Sequence, residues 1–148
     1  MFIYFNLYVV AVDCLIGLAT READNSIKLM ILNELKNQIL PNHPEVLQST
    51  VLDLLRVLSS PDLTVRKVCL ELVVSSATSR VALEIVQFLK KEATKSSDPS
   101  LVEYRQSVLD ALYKCSMNFS DVGTEVMNAY LELIKNGFIS ESLVSYMK

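Results

Sequence analysis

Apolar residues recur at helical spacing along most of the chain, and the pattern is clearest in residues 61–76. At positions i, i+4, i+7 and i+11, one helix face would carry Val65, Cys69, Leu72 and Ser76. Further apolar residues widen this stripe until little polar face is left. Because a helix of this kind has to be covered on more than one side, the pattern predicts a buried helix with neighbours on both sides.

Residues 60–62, Ser-Pro-Asp, mark the start of this helix. Ser60 is suited to cap the first free backbone N–H groups, and Pro61 is suited to the first helical position, where a missing N–H costs nothing. Asp62 adds negative charge at the positive end of the helix dipole and stands four residues before Arg66, the spacing of a helical ion pair. We therefore predict a helix that is capped by Ser60 and begins at Pro61.

The pattern around this helix start occurs three times in the chain. The recurring residues are Asp24, Lys28, Asp62, Val65, Arg66, Leu70, Arg105 and Leu109. The cations Lys28, Arg66 and Arg105 lie 38 and 39 residues apart (66 − 28 = 38 and 105 − 66 = 39), and Leu101 replaces the aspartate in the third copy. A period near 40 residues is typical of HEAT and armadillo arrays. The predicted fold class is therefore all-α, an α-solenoid of antiparallel helix pairs.

The predicted domain organisation is a single helical-repeat segment over residues 1–148. The predicted repeats cover about 24–58, 61–95 and 99–136, with partial flanking helices at 2–19 and 138–148. Because the last helix ends on apolar residues where an array needs a polar outer face, we expect a fragment of a longer solenoid.

Several helix boundaries and buried positions follow from the same patterns. A helix from about Asn25 to Leu40 would bury Ile27, Met30, Ile31, Leu35 and Ile39, and a second helix with Pro44 at its first position would bury Leu47, Val51, Leu54, Leu55 and Leu58. Residues 94–100 are polar and predict a linker. Asn136 and Gly137 predict the end of the last complete helix.

Residues 2–19 are apolar enough to raise the alternative of a membrane span. Asn6 and Asp13 interrupt the run, and the basic start of a signal peptide is lacking. We therefore interpret the segment as a buried helix, with a small membrane-anchored protein as the less favoured alternative.

Charge and cysteine content narrow the possible functions. The 148 residues carry a net charge of −3, which offers no basic surface for nucleic acid. Cys14, Cys69 and Cys115 lie far apart in apolar runs. Their apolar surroundings indicate buried thiols in a reducing compartment. Their odd number and unpaired spacing argue against a disulfide framework or a zinc site.

The sequence does not present a catalytic constellation. His43 is the only histidine and lies in a turn with no fixed acidic or nucleophilic neighbour, so we interpret it as a cap or loop residue. The three glycines are isolated, so they do not form a phosphate-binding loop. Residues 90–95 could contact an acidic partner or lipid headgroups, but a solvated helix end explains them better. We predict no catalytic, cofactor-binding or metal-binding residues, and no enzymatic activity.

Four stretches resemble the beta-subunit family of coatomer, the coat of Golgi-derived transport vesicles. They are residues 24–29, 54–67, 88–92 and 104–106. The resemblance covers about residues 11–134. It is specific because residues 56–67, Arg-Val-Leu-Ser-Ser-Pro-Asp-Leu-Thr-Val-Arg-Lys, combine a helix end, a turn and a helix start.

The resemblance implies an architectural role rather than a catalytic one. It implies a cytoplasmic scaffold, peripheral on Golgi membranes and transport vesicles, that supports Golgi-to-ER retrograde and intra-Golgi protein transport. The implied partners are other coatomer subunits and an Arf-family small GTPase, with membrane association through the coat and without nucleic acid. The alternative is a generic helical-repeat adaptor unrelated to vesicle coats.

Overall fold

The protein is helical throughout most of the residues that the computed structural model describes, which are 2–95, 101–137 and 144–145. The α-helices are α1 (Phe2–Arg21), α2 (Asn25–Glu34), α3 (Leu40–Asn42), α4 (Pro44–Leu54), α5 (Leu63–Ser76), α6 (Ala82–Lys95), α7 (Val102–Asn118) and α8 (Gly123–Lys135). A π-helical turn, Leu35–Ile39, joins α2 to α3, and the 3₁₀ turns Leu55–Ser59 and Ser120–Val122 follow α4 and precede α8. The described residues contain no β-strand, and the predicted all-α class is confirmed.

The chain divides into two compact units, Met1–Thr78 and Ser79–Lys148. In the first unit α1 packs on α2 and α4, and α5 packs on the same two helices. The four helices of this unit therefore form a closed ring of contacts, in the order α1, α2, α5 and α4. Its largest fully buried side chains are Leu32, Leu35, Leu47, Leu54, Leu58 and Leu72.

The π-helical turn lies directly before the proline that the sequence places inside this helical segment. Leu40 donates its backbone N–H to the carbonyl of Leu35, five residues back. Pro41 has no N–H to donate, which would interrupt a regular α-helix. The wider turn before it is the kind of local adjustment by which helices accommodate such a position. The helical segment then ends at Asn42, and α4 begins at Pro44, the predicted first position.

In the second unit α6 packs on α7 and α8, and α7 packs on α8. Its largest fully buried side chains are Tyr104, Tyr130, Ile85, Leu89, Leu112 and Leu133. The chain leaves α8 through Gly137, whose φ of +86° lies in the left-handed region that glycine adopts without strain. The predicted helix end at Asn136 and Gly137 is thereby confirmed.

The predicted start of the central helix was wrong by two residues. Helix α5 begins at Leu63, and its N-cap is Asp62, whose Oδ1 accepts the Val65 N–H at 2.9 Å. Ser60 lies outside the helix, and its hydroxyl accepts the Asp62 N–H at 3.4 Å. Aspartate and serine are equally good N-caps, so the residue whose side chain reaches the first turn decides the boundary.

Two further predictions about burial and boundaries were wrong. Met30 is 61% exposed because α1 and α5 cover the opposite side of α2, where Ile31 and Leu32 are buried. Thr94 and Lys95 belong to α6 and not to a linker. The rest of the predicted linker, residues 96–100, lies outside the described residues. Of the predicted helix 138–148, only residues 144–145 are described, and both are helical.

Candidate interaction surface

Two of the three recurring helix starts have the same local geometry. Asp24 and Asp62 are the N-caps of α2 and α5, with φ and ψ of −83° and 115° for Asp24 and −81° and 122° for Asp62. The Asp24 carboxylate accepts the N–H of Ser26, two residues on, at 2.8 Å, and the Asp62 carboxylate accepts the N–H of Val65, three residues on. The two matching sequences therefore fold alike at the level of the helix cap.

The cations of these two copies occupy equivalent places in the first helical turn. Lys28 and Arg66 each donate a backbone N–H to the carbonyl of the capping aspartate, at 3.1 Å in both cases. Lys28 is only 7% exposed, so its aliphatic stem packs against the unit. Arg66 is half-buried, and its Nε donates to the Ser60 carbonyl at 2.5 Å. Arg66 thus ties the start of α5 to the turn that precedes it.

The third copy lacks the cap. Leu101 occupies the N-cap position of α7, and its side chain makes no capping hydrogen bond. Arg105 is half-buried, with guanidinium nitrogens Nε and Nη2 shielded from solvent. Helices α2, α5 and α7 nevertheless start 38 and 39 residues apart (63 − 25 = 38 and 102 − 63 = 39), which reproduces the spacing of the cations.

The remaining recurring residues are core residues. Val65, Leu70 and Leu109 are buried, in agreement with a structural role. The Leu109 carbonyl also accepts the hydroxyl of Tyr130 at 3.1 Å. Among the recurring residues, Asp24 and Asp62 thus cap helices, Arg66 contacts the turn before α5, and Val65, Leu70 and Leu109 are buried in the cores.

The cysteines differ in their surroundings. Cys69 and Cys115 are buried as predicted, and burial raises the pKa of the Cys69 thiol to about 12 and that of Cys115 to about 11. The Cys69 thiol donates to the Leu54 carbonyl at 3.0 Å. The expectation of a buried thiol was wrong for Cys14, which is exposed because α1 turns only its other side toward the unit.

His43 contacts two residues of the first unit. Its ring stacks on that of Tyr8 with centroids 4.1 Å apart, and its Nδ1 lies 3.7 Å from Oε1 of Glu45. His43 is also the N-cap residue of α4, but its side chain makes no capping hydrogen bond. The contact joins α1 to the start of α4. Within the described residues, no group of three or more metal-ligating side chains is placed to hold a metal ion.

A cleft of about 290 Å³ lies on the first unit between α1 and the end of α4. It is lined by Asp13, Ile16, Gly17, Thr20, Arg21, Asp53 and Arg56. Thr20 donates its hydroxyl to the Ile16 carbonyl at 2.8 Å. The charged side chains at this cleft form no ion pair or hydrogen bond with a described residue. Charges of both signs are therefore available to a partner there.

Two buried polar contacts of the second unit were not foreseen from the sequence. The hydroxyl of Tyr104 donates to Oε2 of Glu92 at 3.0 Å, and Tyr130 donates to the backbone as described. The available signal was the placement of two tyrosines on apolar helix faces, since a buried tyrosine hydroxyl usually finds a partner. The sequence gives no indication of which partner that is.

The long α1 was the one segment with a membrane alternative. Within the described residues, no helix combines the length and apolar character that a membrane span requires. One side of α1 packs through Val12, Ile16 and Ala19 against the unit. The other side is exposed over residues 7–21, so the interpretation of this segment as a buried helix holds for one side only.

Comparison with known proteins identifies the family to which this helical chain belongs. Residues 4–148 match the family described as the adaptin N terminal region. The match extends over the helices of both units, and the chain belongs to this family.

Individual relatives within this family are coatomer beta subunits. The chain is 41% identical over 133 residues to coatomer subunit beta of Sus scrofa, covering 85% of this chain and 14% of the relative. It is 34% identical over 149 residues to coatomer subunit beta of Saccharomyces cerevisiae, covering 97% of this chain and 15% of the relative. The identity to coatomer subunit beta-2 of Arabidopsis thaliana is 30% over 125 residues, with coverages of 82% and 13%. The resemblance seen in the sequence is confirmed, and the chain spans about one seventh of these relatives' length.

Proposed function

We propose that this chain is a structural scaffold segment of the coatomer vesicle coat, acting through protein–protein contacts in Golgi-to-ER retrograde and intra-Golgi transport. The observation that carries the proposal is the 41% identity to a coatomer subunit beta over 85% of the chain. The helical architecture supports it, because stacked helix pairs present long surfaces suited to binding other proteins.

In this role the helices form part of a scaffold and do not catalyse a reaction. The recurring residues cap α2 and α5 and fill the cores, and the repeats at 24–58, 61–95 and 99–136 serve as units of a longer solenoid. The partners are other coatomer subunits and an Arf-family small GTPase, without nucleic acid. The chain works on the cytoplasmic side, peripheral on Golgi membranes and vesicles through the coat.

A segment exchange tests this proposal. Residues 11–134 would replace the matching segment of yeast coatomer subunit beta in cells depleted of their own subunit. We expect the chimera to co-purify with the other coatomer subunits and to restore retention of ER-resident proteins. The control is a chimera that carries an unrelated helical-repeat segment of the same length, which should do neither. A stable, full-length chimera with residues 11–134 that fails to co-purify would contradict the proposal and favour a generic adaptor.

A further inference from the structure

The cleft of the first unit lies between two helices that run in the same direction. Tyr8 of α1 stacks on His43 at the start of α4, and Arg21 at the end of α1 lines the same cleft as Arg56, just after α4. Because these two contacts follow in the same order along each helix, α1 and α4 are parallel. Positions equally far from the Tyr8–His43 contact therefore lie at about the same level along the groove between the helices.

Two arginines lie at one end of this cleft. Arg21 and Arg56 are each thirteen residues beyond the Tyr8–His43 contact (21 − 8 = 13 and 56 − 43 = 13). Arg21 lies over Gly17, with Nη2 3.9 Å from where a Cβ would be. Both arginines are exposed, and neither side chain forms an ion pair or hydrogen bond with a described residue. Two guanidinium groups at one level are suited to bind a carboxylate, because each offers paired N–H donors.

Two aspartates lie nearer the other end of the cleft. Asp13 comes eight residues before Arg21 (21 − 13 = 8), which is about 12 Å along the axis of α1 at 1.5 Å per residue. Asp53 is half-buried and comes three residues before Arg56. Neither carboxylate forms an ion pair or hydrogen bond with a described residue. The cleft therefore has a basic end and an acidic end, and its lining residues carry no net charge.

This charge pattern and the apolar rim of the cleft select the class of ligand. A phosphate group or an anionic lipid surface would be repelled by the two aspartates, so neither matches the whole cleft. Val10, three residues before Asp13, is 60% exposed, and Leu52, four residues before Arg56, is 36% exposed. Arginine beside exposed apolar side chains is typical of surfaces that bind proteins.

We propose that this cleft binds a segment of another protein that carries a carboxylate side chain and a basic side chain about 12 Å apart. Arg21 and Arg56 bind the carboxylate, and Asp13 and Asp53 bind the basic side chain. The exposed apolar side chains at the rim contact the apolar atoms of the segment. The inference rests on the proposed scaffold role, because it assigns one of the scaffold's protein contacts to this cleft.

Short peptides that carry both charges test the inference on the full 148-residue chain. The probes are acetyl-Gly-Lys-Gly-Ser-Gly-Glu-Gly-amide and the same peptide with lysine and glutamate exchanged, which together cover both chain directions. In an extended peptide the two charged residues are about 13 Å apart. NMR titration of the ¹⁵N-labelled chain measures the affinity and locates the peptide. We expect at least one probe to bind and to shift the amide signals of residues 13–21 and 53–56.

Charge reversal in both the protein and the probe distinguishes this site from non-specific association. Arg21→Glu combined with Arg56→Glu should weaken binding at least about tenfold, because two glutamates then face the glutamate of the probe. A peptide with lysine in place of that glutamate should bind this double variant more tightly than it binds the natural chain. Arg80→Glu combined with Lys114→Glu makes the same change in net charge at exposed positions of the second unit and should leave binding unchanged. Circular dichroism on each variant confirms that the helices are retained.

Three outcomes would overturn the inference. One is that neither probe binds, or that the shifted signals lie away from the cleft. Another is that a peptide with glutamine in place of glutamate, or with alanine in place of lysine, binds as tightly as the probe. The third is that inorganic phosphate at the same ionic strength binds the cleft as tightly as the peptide, which would identify a simple anion site.

The peptide measurement needs no coat subunit, so its failure and a failure of the proposed coat function are distinguishable. A chimera that assembles with the coat while neither peptide binds the chain would overturn this inference alone. A chimera that fails to assemble while a peptide binds the cleft would overturn the coat function alone.

Discussion

Tyr104 at the start of α7 donates a hydrogen bond to Glu92 near the end of α6, with 3.0 Å between the hydroxyl and Oε2. Both side chains are buried, and Lys95 Nζ lies 3.7 Å from the other carboxylate oxygen. A buried carboxylate needs such donors, because leaving water without them costs far more than the bond itself contributes. The contact therefore couples two helices of the second unit across the segment that joins them.

Replacing Tyr104 by phenylalanine should lower the free energy of unfolding by about 1–3 kcal/mol, because a buried carboxylate loses a donor. Urea denaturation measures the effect. Tyr8→Phe is the matched control, since the Tyr8 hydroxyl forms no hydrogen bond with a described residue, and it should be nearly neutral. Equal losses in the two variants would show that the Tyr104 hydroxyl has no special role.

Removing the aspartate caps should destabilise the first unit. We expect Asp24→Ala and Asp62→Ala each to cost about 0.5–2 kcal/mol, because each exposes a first-turn N–H without its side-chain acceptor. Asparagine at either position should retain most of the stability, since its side-chain oxygen still accepts the N–H. Glu34→Ala, at an exposed position within α2, serves as the control. If asparagine cost as much as alanine, the loss would come from charge and not from capping.

Leu72→Ala should cost about 2–5 kcal/mol, because Leu72 is fully buried in the first unit and its removal leaves a cavity. Leu131→Ala removes the same atoms from a side chain that is 44% exposed on α8 and should cost less than about 1 kcal/mol. The quantity to measure is the difference between the urea concentrations at which the two variants are half unfolded. A Leu72→Ala variant as stable as the natural sequence would contradict the burial of this residue.

The three thiols should differ in reactivity toward a thiol reagent such as DTNB at neutral pH. Cys14 is exposed and should react within minutes in the folded chain. Cys69 and Cys115 should react only after denaturation, because they are buried and raised pKa values keep them protonated. Counting the released chromophore gives one fast thiol per folded chain. A second fast-reacting thiol would mean that Cys69 or Cys115 is accessible to the reagent and would contradict their burial. The variant Cys14→Ser should lose the fast reaction, which assigns that reaction to Cys14.

Stability should fall as pH rises above about 9. The pKa of Cys69 is about 12 in the folded chain and about 9 when the thiol is solvated. Above pH 9 the unfolded chain loses this proton while the folded chain keeps it, so the unfolded state is favoured increasingly until about pH 12. Cys69→Ala should reduce the slope of unfolding free energy against pH over this range. A slope that is the same with and without Cys69 would contradict a buried neutral thiol.

The repeat spacing was within reach of the sequence, and so was the kind of residue that caps the helices, although the cap of α5 is Asp62 and not the predicted Ser60. Local rules govern both: helical periodicity assigns Val65, Leu72 and Ser76 to one buried face, and the matching sequences at Asp24 and Asp62 produce matching caps. Such features depend on side chains and backbone within one or two turns. They form in the same way wherever the sequence recurs.

The tertiary structure decided which apolar side chains are exposed and which polar side chains on different helices contact each other. Met30 and Cys14 lie on apolar segments, but they are exposed because packing covers only one side of α2 and of α1. The partnership of Tyr104 with Glu92 likewise requires that α6 and α7 lie side by side. By itself, the sequence determined the all-α class, the spacing of the repeating helix starts and which family the chain resembles. Only the tertiary structure decided which apolar helix faces stay exposed and which buried polar groups form hydrogen bonds. Both outcomes depend on which helices pack against each other, because each helix can cover only part of its neighbour's surface.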